Sequence, residues 1–318
     1  MSTKSSAINK VLVTGGAGFI GSHVAEACIA GGYEVHILDN LSSGSADNLP
    51  EGAFFHQLDL RDPAIETLFA EEQFPVVIHH AAQLDVRKSV AAPAFDADVN
   101  VLGFLRLMEA GRKYGLKRFV FASTGGAIYG ETDVLPQNET NELHPESPYG
   151  ITKLATEKYL YFYEKVHGIS SVILRYANVY GPRQGSYGEA GVIAIFIKKI
   201  MAGEAPVIFG DGEQTRDYVY VGDVVRANLL AIEAAGSGTY NIGTGVETSV
   251  ITLIAKLQGL MQVPVAVKHE AARAGEVRRS ALSYDRINNT LGWSPQVTLD
   301  KGLAETVRWF NSRITPAL

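Results

Sequence analysis

The sequence predicts an α/β protein: a doubly wound parallel sheet flanked by helices, followed by a smaller mixed α/β C-terminal substrate domain. Three observations carry this reading. Short β-branched runs alternate with helical stretches from Lys10 to Arg175. The runs lack the period-2 alternation of a half-exposed sheet, as strands covered on both faces do. A glycine-rich turn follows the first run and opens the first helix.

Taken in order, strands are expected at 10–14, 34–38, 53–58, 76–80, 118–122 and 171–175, with helices at 19–31, 63–72, 95–114 and 149–167. Val11-Leu12-Val13 and Val76-Val77-Ile78 are the clearest doubly buried runs. After Arg175 the rhythm loosens. Segment 177–216 is rich in Gly, Pro and Gln, and a closing helix is expected at 299–312. The expected division is a nucleotide-binding domain over 1–176, to which 217–242 returns, and an interleaved second domain over 177–318.

The 318 residues, 46% of them apolar, are enough for two such domains with a large core. With 34 acidic residues against 28 basic, the net charge is −6 and no basic stripe suggests a nucleic-acid partner. Cys28 is the only cysteine, which excludes a disulfide framework and a cysteine-rich metal site. His79 and His80 lack further ligands nearby, so no metal is expected. No apolar run approaches the ~18 residues of a membrane span, and Met1–Ala7 has no signal-peptide core. The expectation is a soluble cytoplasmic protein without a membrane partner.

Thr14–Gly21 can be read as G-x-G-x-x-G (Gly16, Gly18, Gly21) or as G-x-x-G-x-x-G (Gly15, Gly18, Gly21). Glycines let the chain turn tightly, approach a pyrophosphate and pack helix on strand, while the helix N-terminus offers oriented N–H groups. Asp39 closes the second strand, 18 residues past Gly21, where a carboxylate meets a ribose 2′-hydroxyl. No Arg or Lys occurs in Asn40–Gly44 to accept a 2′-phosphate. The pattern predicts a Rossmann-type domain that binds NAD rather than NADP.

Tyr149 and Lys153 stand at i and i+4 behind Ser147-Pro148, a helix start, and so share one face. A phenol with pKa ~10 is a weak base near neutrality, and a neighbouring ammonium favours its phenolate. Ser123 and Thr124 lie at the end of a predicted parallel strand, where such sheets bind ligands.

With these motifs the chain resembles the extended short-chain dehydrogenase/reductases, in particular nucleotide-sugar 4-epimerases of the UDP-glucose (UDP-galactose) 4-epimerase type. The likeness runs from Lys10 to Phe310 and includes Asp59-Leu60, His80-Ala-Ala-Gln83, Arg175–Arg183, Gly210–Asp217, Arg273-Ala-Gly-Glu276 and Leu291–Pro295. It implies an enzyme that uses NAD and a UDP-sugar. Gly15, Gly18, Phe19, Ile20, Gly21, Asp39, Asn40, Ser43, Gly44, Asp59, Leu60, Ala81, Ala82, Gln83, Asn100, Tyr149, Lys153 and Tyr176 would contact or support the cofactor. Tyr149 would be the base and Lys153 its modulator. Thr124 would be the catalytic hydroxyl, with Ser123 as the alternative. Asn178, Arg216 and Arg273 would hold the diphosphate, Glu276 the uridine ribose, and Val192 would line the substrate site.

The Gly125-Gly126 pair departs from the family spacing between hydroxyl and Tyr129-Gly130, and is read as a one-residue bulge. Ser280 falls where strict UDP-glucose enzymes carry a bulky Tyr, which predicts room for an N-acetyl group. Thr124-Gly125-Gly126 lacks the acid pair of the 4,6-dehydratases. A UDP-glucuronate decarboxylase/4-epimerase and a non-catalytic NAD-sensing protein are the rival readings; the latter usually loses Tyr or Lys. The resemblance also implies a homodimer through a four-helix interface made by 95–114 and the Tyr149 helix.

Overall fold

Val11, Leu12, Val13, Val76, Val77 and Ile78 are all fully buried, so the two strands that carry them are covered on both faces. The structure is a computed structural model and describes residues 9–185, 191–272 and 277–313. In chain order its elements are β1 (Lys10–Thr14), α1 (Phe19–Ala30), β2 (Glu34–Asp39), β3 (Phe54–Gln57), α2 (Ala64–Glu72), β4 (Val76–His79), α3 (Val86–Ala91), α4 (Pro93–Ala97), α5 (Phe104–Lys113), β5 (Arg118–Thr124), α6 (Gly125–Ile128), α7 (Pro148–His167), β6 (Ser170–Tyr176) and β7 (Asn178–Tyr180). There follow α8 (Val192–Met201), β8 (Val207–Phe209), β9 (Thr215–Arg216), β10 (Tyr218–Tyr220), α9 (Val221–Glu233), β11 (Gly238–Ile242), β12 (Thr248–Ser249), α10 (Val250–Met261), β13 (Lys268–Glu270), α11 (Asp285–Leu291) and α12 (Leu299–Ser312).

The residues group into two units. One is Met1–Thr124, Ser147–Arg175 and Val225–Tyr240; the other is Gly125–Glu146, Tyr176–Val224 and Asn241–Leu318. The first is built on a seven-stranded sheet in the order β11-β6-β5-β4-β1-β2-β3. β1 pairs in parallel with β2 and β4, β2 with β3, and β4 with β5. The chain runs outward from β1 through β2 and β3, then crosses back to β4. The resulting switch point between β1 and β4 is where open parallel sheets bind ligands.

The predicted 95–114 helix is interrupted. A π-helical turn, Asp98–Gly103, separates α4 from α5. It turns the Asn100 side chain inward and brings Gly103 so close to Leu60 that an added Cβ would lie 2.9 Å from the Leu60 Cβ. The helix predicted from Tyr149 forms as read: the Ser147 hydroxyl accepts from the Gly150 N–H at 3.1 Å, Pro148 occupies the first turn, and Gly168 closes it at φ 68°.

In the second unit α8, α10 and α12 share a core that includes Ile193, Phe196, Ile197, Leu253, Leu257 and Leu303. β7 pairs with β10, β9 with β12, and β8 with β13. Trp293 of Leu291–Pro295 is buried and donates its indole N–H to the Asp223 carbonyl at 2.9 Å. The Asp223 carboxylate accepts from Gln296 and Val297, both at 3.1 Å, so this motif anchors the chain. No helix among the described residues is long and apolar enough to cross a membrane.

One buried ion pair ties three elements of the first unit. Glu157 on α7 accepts from Arg175 on β6 at 3.0 and 2.6 Å, and from the Ser123 hydroxyl on β5 at 2.6 Å. Both charged side chains are about 95% buried, with 5% and 6% exposed. Removing one member strands the other charge. We therefore expect Glu157→Gln to destabilise by about 3–5 kcal/mol and Glu157→Leu with Arg175→Leu to destabilise less, as read by urea unfolding midpoints.

Candidate active site

At the end of β1 the chain enters Gly15 at φ 69°, a left-handed conformation suited to glycine. A Cβ there would lie 2.7 Å from the Ala81 nitrogen, so the glycine turn presses directly on the loop after β4. Thr14 supports the same junction: its hydroxyl bonds His79 Nδ1 at 2.7 Å and accepts from the Ala81 N–H at 3.2 Å. Gly18 N donates to the Gly15 carbonyl at 3.0 Å. A Cβ on Gly21 would collide with that same Gly15 carbonyl. Gly18 is the N-cap of α1 and brings no side-chain cap to its first N–H groups, so Phe19 and Ile20 open a helix end able to receive an anion.

Asp39 meets the glycine turn from β2. Its Oδ2 accepts from the Ala17 N–H at 3.0 Å and its Oδ1 from the Leu41 N–H at 2.8 Å. A carboxylate held this way retains lone pairs for a diol. Gly44 lets the following loop lie on Ala17, since a Cβ would come within 2.9 Å of the Ala17 backbone. Asn40 donates to Asp59 at 2.7 Å. Arg61 pairs with Asp59 at 2.8 Å and holds that carboxyl well below its usual range. Leu60 is buried in the core, whereas Ser43 is exposed. These glycines and Asp39 fit a dinucleotide: the glycines let backbone pack on backbone around an uncapped helix end, and the carboxylate is already oriented.

Gln83 joins this rim through Asn100. Its N–H donates to Asn100 Oδ1 at 2.8 Å, and Asn100 Nδ2 returns a bond to the Gln83 carbonyl at 2.9 Å. Ala81 and Ala82 are half-buried on the same loop, while Tyr176 is buried at the end of β6.

Tyr149 and Lys153 share one face of α7. The Lys153 ammonium donates to the Ala122 carbonyl at 2.9 Å and lies 4.8 Å from the Phe121 ring centre and 5.7 Å from that of Tyr149. Burial pushes the lysine down to about 8, against the opposing charges of Asp96 and Glu157. Burial, reinforced by Asp96, raises the Tyr149 phenol. Lys153 is expected to favour this phenolate; in the structure its ammonium lies 5.7 Å from the Tyr149 ring centre. The lysine is engaged by a backbone carbonyl, and desolvation of the phenol dominates.

Thr124 ends β5 half-buried. Ser123 is buried and its hydroxyl is taken by Glu157. The Gly125-Gly126 pair, read as a one-residue bulge, instead opens the single helical turn α6, where the absence of a Cβ at Gly125 admits the Leu282 side chain.

In the second unit Asn178 opens β7 and its N–H donates to the Asp217 carbonyl at 2.9 Å. Arg216 lies on β9, with Nη1 on the Thr215 carbonyl at 2.8 Å. Asp217 is buried, which pushes its pKa up against hydrogen bonds from Thr244, Gly245 and Leu282. Val192 begins α8, and Ser280 is buried two residues before Leu282. Arg273 and Glu276 lie outside the described residues. Sequence reasoning missed Asp96 and Thr152. Asp96 is fully buried and accepts from Gln83, Asn100 and Thr152. Its only sequence signal is the i, i+4 spacing to Asn100.

A sheet order of β3-β2-β1-β4-β5-β6-β11, a glycine turn at the switch point and a Tyr-x-x-x-Lys helix packed on β5 define an extended short-chain dehydrogenase/reductase with NAD as cofactor. The chain belongs to the NAD dependent epimerase/dehydratase family, whose model matches residues 11–243. It is 44% identical over 310 residues to a UDP-glucose 4-epimerase of Mycolicibacterium smegmatis, covering 96% of this chain and 99% of that protein. Among solved structures it resembles a UDP-glucose 4-epimerase of Thermotoga maritima with UDP-glucose, at 50% identity and TM-score 0.94 over 95% of this chain and 99% of that one. It also resembles a UDP-glucose 4-epimerase of Thermus thermophilus in complex with NAD, at 43% identity and TM-score 0.92 over 96% and 100%.

Gly21→Ala drives a methyl group into the Gly15 carbonyl. The expected outcome is a loss of about 1–3 kcal/mol, in the range of overpacked sites, and loss of NAD retained through gel filtration. Both are measurable on the purified protein.

Proposed function

We propose that this chain is an NAD-dependent UDP-sugar 4-epimerase that interconverts UDP-glucose and UDP-galactose through a transient 4-keto sugar. The observation that carries the reading is the Tyr149–Lys153 face of α7 packed against the end of β5, in the same unit as an NAD-shaped glycine cradle. When bound, NAD supplies an acceptor and donor for the C4 hydride and a positive ring whose charge favours the Tyr149 phenolate.

The chain's own residues manage the proton and the sugar. Tyr149 takes the proton of the 4-hydroxyl and later returns it to O4. Lys153, fixed by the Ala122 carbonyl, favours the phenolate by its charge. Thr124 presents its hydroxyl to the same oxygen, since Ser123 is committed to Glu157. Asn178, Arg216 and Arg273 hold the diphosphate, and Glu276 accepts from the uridine ribose. The keto sugar turns between the two proton transfers, which requires a firm grip on the diphosphate and a loose one on the hexose. Ser280 in place of a bulky residue supports acceptance of UDP-GlcNAc and UDP-GalNAc.

A homodimer completes the proposal. α7 exposes Tyr161, Phe162 and Val166, and the π turn exposes Leu102. Such a clustered apolar face marks an interaction surface.

The test is a panel of UDP-sugars incubated without added cofactor, with products separated by chromatography. UDP-galactose should yield UDP-glucose; no conversion in the panel overturns the reading. In Tyr149→Phe, turnover should fall by about 10²–10⁴-fold while NAD remains bound. Light scattering at micromolar concentration should return a dimer, and a monomer would count against the α7 interface.

A further inference from the structure

Asp96 is a fully buried carboxylate with no role in the mechanism above. Its Oδ1 accepts from Gln83 Nε2 at 2.8 Å and Asn100 Nδ2 at 3.2 Å, and its Oδ2 from the Thr152 hydroxyl at 2.8 Å. All three donors are neutral. Glu157, the other buried carboxylate near Lys153, is instead neutralised by two bonds from Arg175. Asp96 thus accepts from two amides and a hydroxyl, and among the described residues no guanidinium or ammonium bonds it. Thr152 directly precedes Lys153, and its hydroxyl lies within bonding distance of both Asp96 and the Tyr149 carbonyl, the latter at 3.0 Å.

We propose that Asp96 is a positioning residue for the Tyr149–Lys153 pair: through Thr152, whose hydroxyl bonds both its carboxylate and the Tyr149 carbonyl, it fixes the first turns of α7 that carry the two side chains. The proposal rests on the catalytic reading of that pair. Asp96 also orders Gln83 and Asn100, so one carboxylate ties the loop after β4, the π turn and α7 together.

Among the described residues, the charged and titratable groups that face the pair are few. They are Asp96 from α4, Glu157 on α7 with Arg175 of β6 behind it, and His79 and His80 at the end of β4. Burial, with the nearby Lys153 charge, pushes His79 well below its ordinary value and His80 down to about 3, so both are neutral across the working range. Asp96 raises Tyr149 and Lys153 alike. A neutral group at position 96 should lower both.

Asp96→Asn is the informative substitution, because Thr152 can turn its proton to the Tyr149 carbonyl and accept from the new amide. With the NAD-loaded protein, two quantities are followed against pH: turnover of UDP-galactose, and ultraviolet tyrosinate absorbance as the difference from Tyr149→Phe. In D96N both limbs of the turnover profile and the Tyr149 midpoint should move down by about one pH unit. Thr152→Val, which keeps the charge and removes the hydroxyl, should lower turnover and leave the midpoints in place. Unmoved midpoints in D96N overturn the proposal, as does unchanged turnover or an equal shift in T152V. If D96N does not fold, D96S supplies the neutral comparison. A parent chain that fails to epimerise overturns the proposed function, while the tyrosine titration still reads the effect of Asp96.

Discussion

The grip of α7 on the last residues of β5 is the contact on which the catalytic unit depends. Lys153 holds the Ala122 carbonyl, and Glu157, one turn further on, holds the Ser123 hydroxyl. Two consecutive strand residues are thus bound by two successive turns of one helix face. Neither group could be buried alone, because an ammonium or carboxylate without partners is expensive to desolvate. Their partners place Thr124 at the free end of the strand and Tyr149 at the first turn of the helix. Geometry at the site follows from satisfying buried charge.

The same economy separates two kinds of carboxylate. Glu157 is paired with Arg175 and serves cohesion, whereas among the described residues Asp96 accepts from amides and a hydroxyl without a cation. Far-field attraction cannot help an anionic substrate reach a chain of net charge −6. On the proposed reading, recognition of a diphosphate falls to local cations such as Arg216.

Much of the architecture was legible because each doubly buried strand announces itself by an unbroken apolar run, and each helix by its start. The Ser147-Pro148 start and the Gly15–Gly21 turn are of this kind: the local chain itself demands those residues. The π turn was not legible, because the apolar pattern of 95–114 continues through it and the extra residue per turn leaves no compositional trace. Gly125-Gly126 misled for the opposite reason, since two residues without side chains carry no periodicity to distinguish a bulge from a helical turn. The buried Asp96–Thr152 bond and the separate Glu157–Arg175 pair were hidden by a default. Polar residues on a helix read as its wet face until tertiary packing covers them.

Gly15 and Gly21 are excluded from carrying side chains by the protein's own backbone, at Ala81 and at the Gly15 carbonyl, before any ligand is considered. The cradle is therefore under two independent constraints, one from folding and one from binding. On the proposed reading, a descendant that lost Tyr149 would lose its chemistry in one step, yet it could not easily drift at these glycines without losing its fold. Dinucleotide binding is the more durable inheritance of this architecture, and catalysis the more easily shed.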